Sequence, residues 1–188
     1  MKRKAGTMLR KLLLAGAVEL SLTASVGAQD LSKFKDGPVI TGFGKVVPIE
    51  SDLPIPKRAV FKVILDVSAA AKPGEANRAI DSAARFLNMH VAAGVPEKNI
   101  HIVIVVHGTA SGDVANDAFY APRHDGKANA SAPLIKQLLD HGVQIYLCGQ
   151  SGTAFGLSHR DLLPGVKLSL SAMTTVALFE QQGYVLLP

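Results

Sequence analysis

The chain of 188 residues holds one cysteine, Cys148, directly followed by Gly149-Gln150-Ser151-Gly152-Thr153. A single thiol has no intramolecular disulfide partner, so Cys148 is either a small buried hydrophobe or a reactive group. The nucleophilic form of cysteine is the thiolate. The free amides of a tight turn and the positive end of a following helix both favour that form. Position alone leaves the two readings balanced. Gly149, Gln150, Ser151 and Gly152 form the candidate binding turn around the thiol. The same run superficially suggests the nucleophile elbow of a hydrolase, but the glycine follows Ser151 by one position instead of two, so that motif fails. Ser151 is expected to cap the segment that follows, as serines commonly do.

His107 closes an apolar run and is the candidate base to assist Cys148. No spacing rule ties the two, and a histidine hydrogen-bonded in a loop is the plainer reading. His124, His141 and His159, with Asp113, Asp117 and Asp125, lack ligand spacing, so no metal site is expected. Gly42-Phe43-Gly44 lacks the third glycine and the preceding strand of a dinucleotide loop, and no cofactor is expected. Aromatic residues make up 5% of the chain and tryptophan is missing, which leaves no stacking platform for bases.

These residues need elements to hold them. The run Val60–Leu65 is apolar and β-branched enough for a strand buried on both faces. Ala76, Ala79, Ile80, Ala83, Ala84, Leu87 and Val91 recur as one helical face, which Gly94 ends. Ile100–Val106 is the second strand. A polar loop from His107 to about Asn129 carries one helical turn near Val114–Tyr120. Pro133 suits a first helical position before Leu134, Ile135, Leu138 and Leu139, and Gly142 closes that helix. Val143–Cys148, Val166–Leu170 and a short run at Tyr184–Leu187 are further strands, with a helix over Ala172–Gln182. Alternation of this kind predicts an α/β fold: three layers, α/β/α, around a mainly parallel sheet of about five strands. Sites in such sheets lie at the carboxyl ends of the strands, here Asp66–Ala70, His107–Gly112, Cys148–Gly152 and Ser171–Thr174.

The formal charge of +5 belongs to the leading segment. Lys2, Arg3, Lys4, Arg10 and Lys11 precede an apolar stretch from Leu12 to about Val26, and Val26-Gly27-Ala28 offers small residues for cleavage. This order is that of a secretory signal peptide, residues 1–28, which implies export, in a bacterium to the periplasm. Without it, 15 Lys+Arg face 14 Asp+Glu, so no nucleic-acid partner is implied. Glu19 interrupts the apolar stretch, which falls short of the about 20 residues a stable membrane span needs. Residues 29–58, with Pro38, Pro48, Pro54 and Pro56, are expected as an irregular arm. A short edge strand is expected near Val39-Ile40 or Val46-Val47. These residues and Phe43 lie on an arm with no obvious core of its own, and such apolar surface predicts an interface between copies.

The segment from His141 through Cys148 to Ser151 resembles the cysteine segment of the DsrE/DsrF/TusD family of sulfur-relay proteins, which has the YchN-like fold. Val103–Gly108 is similar to the strand and loop before that family's second helix, and Val166–Ala172 with Gly183–Leu187 to its close. The similarity spans roughly residues 59–188, the expected domain. It implies a three-layer subunit that assembles into trimers or hexamers. It also implies that Cys148 carries sulfur as a persulfide between a donor and an acceptor protein. The family's relay members are cytoplasmic and lack the 29–58 arm, which looks like the extension of exported relatives. Two functions follow as expectations: an exported sulfur carrier, or a non-catalytic oligomeric binding module of the cell envelope with the same fold.

Overall fold

Phe61–Val67 forms β1, and its Val63, Ile64 and Val67 are β-branched residues that suit a pleated, buried surface. It continues past the expected end at Leu65 because Asp66 and Val67 still pair with Val105 and Val106 of β2, Ile100–Val106. Further strands are β3 (Gln144–Cys148), β4 (Lys167–Ser169) and β5 (Val185–Leu187). All pairings are parallel and the order across the sheet is β4-β3-β2-β1-β5. The structure, a computed structural model, describes residues 30–188 apart from Lys57, so the expected signal segment lies outside the described residues.

Side chains alternate across the pleat. Val63, Val67, Ile102, Ile104, Val106, Ile145 and Leu147 face the main core. That core is covered by α1 (Arg78–Ala92), through Ile80, Ala83, Ala84 and Leu87, and by α3 (Ala132–Asp140), through Leu134, Ile135 and Leu138. Asn77 caps α1 by accepting the amides of Ala79 and Ile80. The expected helical turn is α2, Asp117–Tyr120. Ile64, Val103 and Val105 face the other way, under Ala172, Val176 and Phe179 of α5 (Ala172–Glu180) and under Tyr184. The three layers read from the sequence are therefore present.

The arm differs from expectation. It forms no edge strand, only an antiparallel bridge between Lys35 and Val46. It also has a core, that of its own subunit: Ile40 is fully buried in the main cluster, and Val39 and Phe43 pack against it. Asn88 of α1 holds it. Its Oδ1 accepts the amides of Val39 (3.1 Å) and Ile40 (2.8 Å), and its Nδ2 donates to the carbonyls of Ile40, Phe43 and Gly44. Gln137 of α3 pairs with both backbone groups of Thr41, and Asp81 accepts the Gly44 amide at 2.7 Å. Gly44 has φ +56° and lies so close to α1 that a Cβ there would stand 2.3 Å from the Arg85 nitrogen. Exposed apolar side chains remain at the ends of the arm, through Leu31, Ile49 and Leu53, and on α5 and the sheet edges, through Leu170, Met173, Leu178 and Val185.

Candidate functional site

The carboxyl ends of β1, β2 and β3 bring together Asp66, His107 and Cys148, all turned to the face that α5 covers. They line an open cleft of about 560 Å³ whose opposite wall is Ala172, Met173, Val176, Ala177 and Glu180 of α5, with Leu186 of β5. Cys148 closes β3 in register with Ser169 of β4 and is only 5% exposed.

The chain turns directly from Cys148 into α4, Gly149–Ala154, and Cys148 itself occupies the capping position. Ser151 therefore does not cap this helix, contrary to the sequence expectation. It lies within α4, where its Oγ accepts the Gly108 amide at 3.1 Å and its hydroxyl reaches the sulfur. Burial acts to raise the Cys148 thiol pKa. The amide and hydroxyl of Ser151 and the amides of Ala172 and Gln150 outweigh it, so the thiol lies below its ordinary value of 9.0. Gly149 is what allows this turn: a Cβ there would lie 2.5 Å from the Ser169 carbonyl oxygen. Gln150 adds a long side-chain bond to the Leu170 carbonyl, 3.4 Å, which ties α4 to the end of β4. Gly152 packs over Leu147.

His107 follows β2, its amide bonded to the Val67 carbonyl at 2.9 Å. Its Nε2 pairs with Asp66 Oδ2 at 3.0 Å, which fixes the ring at the cleft. The segment after it, Gly108–Val114, is stitched to the end of β1. Thr109 Oγ1 donates to the Ser68 carbonyl, and the Ala70 amide donates to Thr109. Below that segment the buried Asp113 accepts from Asn77 Nδ2 at 2.6 Å and the Ala71 amide at 2.8 Å. Burial still raises its carboxyl pKa despite these bonds.

His124 stacks on Tyr120 and His141 pairs with Glu97, both away from the cleft. Among the described residues no group of three His, Cys, Asp or Glu side chains is arranged to hold a metal ion. The sequence reading did not single out Asp66, Ala172 or Glu180. The first two stand at strand ends it had marked. Glu180 carried no signal, being brought to the cleft by the run of α5.

A family model for the DsrE/DsrF-like family matches residues 62–188. No curated protein matches the chain. Among solved structures, one similar chain is a protein of unknown function, MTH1491, from Methanobacterium thermoautotrophicum. It is 16% identical over 68% of this chain and 97% of that one, with a TM-score of 0.47. Another is the ychN protein from E. coli, 15% identical over 68% of this chain and 100% of that one, also at a TM-score of 0.47. No helix among the described residues is long and apolar enough to cross a membrane. The family match extends from the second residue of β1 to the end of the chain and takes in every wall of the cleft: the chain belongs to the DsrE/DsrF-like family.

Proposed function

We propose that this protein is an exported sulfur carrier in which Cys148 holds a sulfane sulfur as a persulfide and passes it to a partner. Membership of the DsrE/DsrF-like family supports a function of the sulfur-relay kind. The observation that carries the finer reading is the set of amides and the Ser151 hydroxyl gathered on a strand-end thiol beside an open cleft. Loading is a displacement without net redox change. The thiolate attacks the outer sulfur of a persulfide R–S–SH, a bond from Sγ forms, the donor's S–S bond breaks, and R–S⁻ leaves and takes a proton. His107, held by Asp66, is the group at the cleft able to hand that proton over. Discharge is the same step with an acceptor thiolate attacking the carried sulfur. With no second cysteine in the chain, discharge requires an external thiol.

Residues 1–28 supply the export signal in this reading, and the subunits assemble through the apolar α5 face as a trimer or hexamer. The second reading, a binding module without sulfur chemistry, is favoured by the 5% exposure of Cys148.

The test is the pH dependence of iodoacetamide alkylation, followed by intact mass after incubation with polysulfide. The carrier reading expects a rate midpoint below 9.0 and a mass gain of one or more sulfur atoms that Cys148→Ala abolishes. An ordinary midpoint and no gain leave the binding module. The same spectrum reads the export proposal: secreted protein starts at Gln29, and a species keeping Met1 refutes it.

A further inference from the structure

The charged side chains on the cleft walls are Asp66, His107 and Glu180, and among the described lining residues there is no Lys or Arg. Two cations on this sheet face are engaged elsewhere. Lys62 Nζ donates to the Gln182 carbonyl at 3.1 Å and lies over the Tyr184 ring, and Lys167 lies over the Tyr146 ring. With His107 neutral the walls carry two negative charges, and with it protonated they carry one. The Cys148 thiolate adds another in either state. The remaining wall is apolar, through Ala172, Met173, Val176 and Leu186. A concave site of one charge sign with apolar walls focuses its field, favouring some reactants and repelling others.

We infer that the cleft selects uncharged sulfane-sulfur compounds, such as octasulfur or a protonated organic hydropersulfide, and excludes anionic donors such as thiosulfate. The donor's identity rests on the carrier reading above, while the charge selection at Cys148 does not. With octasulfur, the thiolate attacks one ring sulfur, a bond from Sγ forms, and one ring S–S bond breaks. Its electron pair goes to the new chain end, so nothing leaves and no outside oxidant is consumed. With a hydropersulfide, the pair leaves on R–S⁻. An apolar body rests on the α5 wall in either case. Thiosulfate brings two negative charges to a site that supplies no cation to receive them.

The experiment compares the alkylation of Cys148 by iodoacetamide, uncharged, and iodoacetate, an anion of similar size, with that of N-acetylcysteinamide under the same conditions. At low salt the neutral-to-anion rate ratio for Cys148 exceeds that of the free thiol by on the order of threefold or more. It shrinks at high salt, where screening is strong. Asp66→Asn and Glu180→Gln each lower it, and the double variant brings it to the free-thiol value. Both positions are exposed, so these near-isosteric changes keep the fold. A low-salt ratio equal to that of the free thiol, or one that neither variant moves, overturns the inference. Sulfur loading from octasulfur and from thiosulfate separates it from the carrier reading. Loading from both, with no alkylator selection, removes the selection and leaves the carrier. Alkylator selection without sulfur gain from either removes the carrier and leaves the charge selection.

Discussion

The hydroxyl of Ser151 takes the Gly108 amide on its oxygen and turns its proton to the Cys148 sulfur. Ser151→Ala removes a donor from the thiolate and leaves the Gly108 N–H without its acceptor. The alkylation midpoint therefore moves up toward 9.0 and the rate near neutral pH falls. The lost bonds cost about 1 kcal/mol in stability. The sign of the pH effect follows from the lowered native pKa. An acid whose pKa is depressed by folding contributes stability that is complete above its ordinary value, here 9.0, and is lost as pH falls through the lowered native value. The gap between wild type and variant, read by urea denaturation, thus widens as pH rises through the native midpoint and levels off once both thiols are ionised. A constant gap with an unmoved alkylation midpoint shows that the hydroxyl does not act on the sulfur.

Helices α1 and α3 hold the arm by its backbone, and Asn88 contributes most of the grip, with five bonds to four arm residues. Asn88 is fully buried, so Asn88→Ala strands the Val39 and Ile40 amides and opens a void beside Ile40. The expected loss is about 2–4 kcal/mol, with new protease cleavage between residues 35 and 46. A loss under about 0.5 kcal/mol with the arm still protected means the clasp is not what holds it. This docking was not legible beforehand. Its partners lie as far as 96 positions apart, and the arm offers backbone groups that no side-chain pattern marks. The strands and helices were legible because their apolar periodicity is strong, and the parallel sheet followed from their alternation. The strand-end place of Cys148 came with β3. The Asp66–His107 pair did not, because it depends on β1 and β2 ending level, with Val67 opposite Val106. Ser151 was misjudged for a related reason: α4 begins at Gly149, directly after the thiol, which puts the hydroxyl inside the helix.

The sheet is covered unequally. Two helices and the arm close one face, while α5 alone runs over the other and leaves its own Met173 and Leu178 exposed at 80% and 53%. Exposed apolar surface of this kind marks an interface, and self-assembly through it is the expected arrangement. Light scattering at micromolar concentration gives an oligomer for the wild type and a monomer for Leu178→Glu combined with Met173→Glu, with the far-ultraviolet dichroism unchanged. A monomeric wild type refutes assembly. The same helix crosses from β4 at one edge to β5 at the other, and on its way it supplies a wall of the cleft and the Ala172 amide that faces the sulfur. Its place after β3 and α4 in the chain sets an order of events in time. The thiol and its turn emerge first, and the segment that shelters them emerges later, so a nascent chain presents Cys148 without its roof. During that interval the sulfur meets oxidants and foreign thiols with neither the charge selection nor the full set of donors of the finished site, and the speed with which α5 docks determines how many molecules mature with the thiol intact.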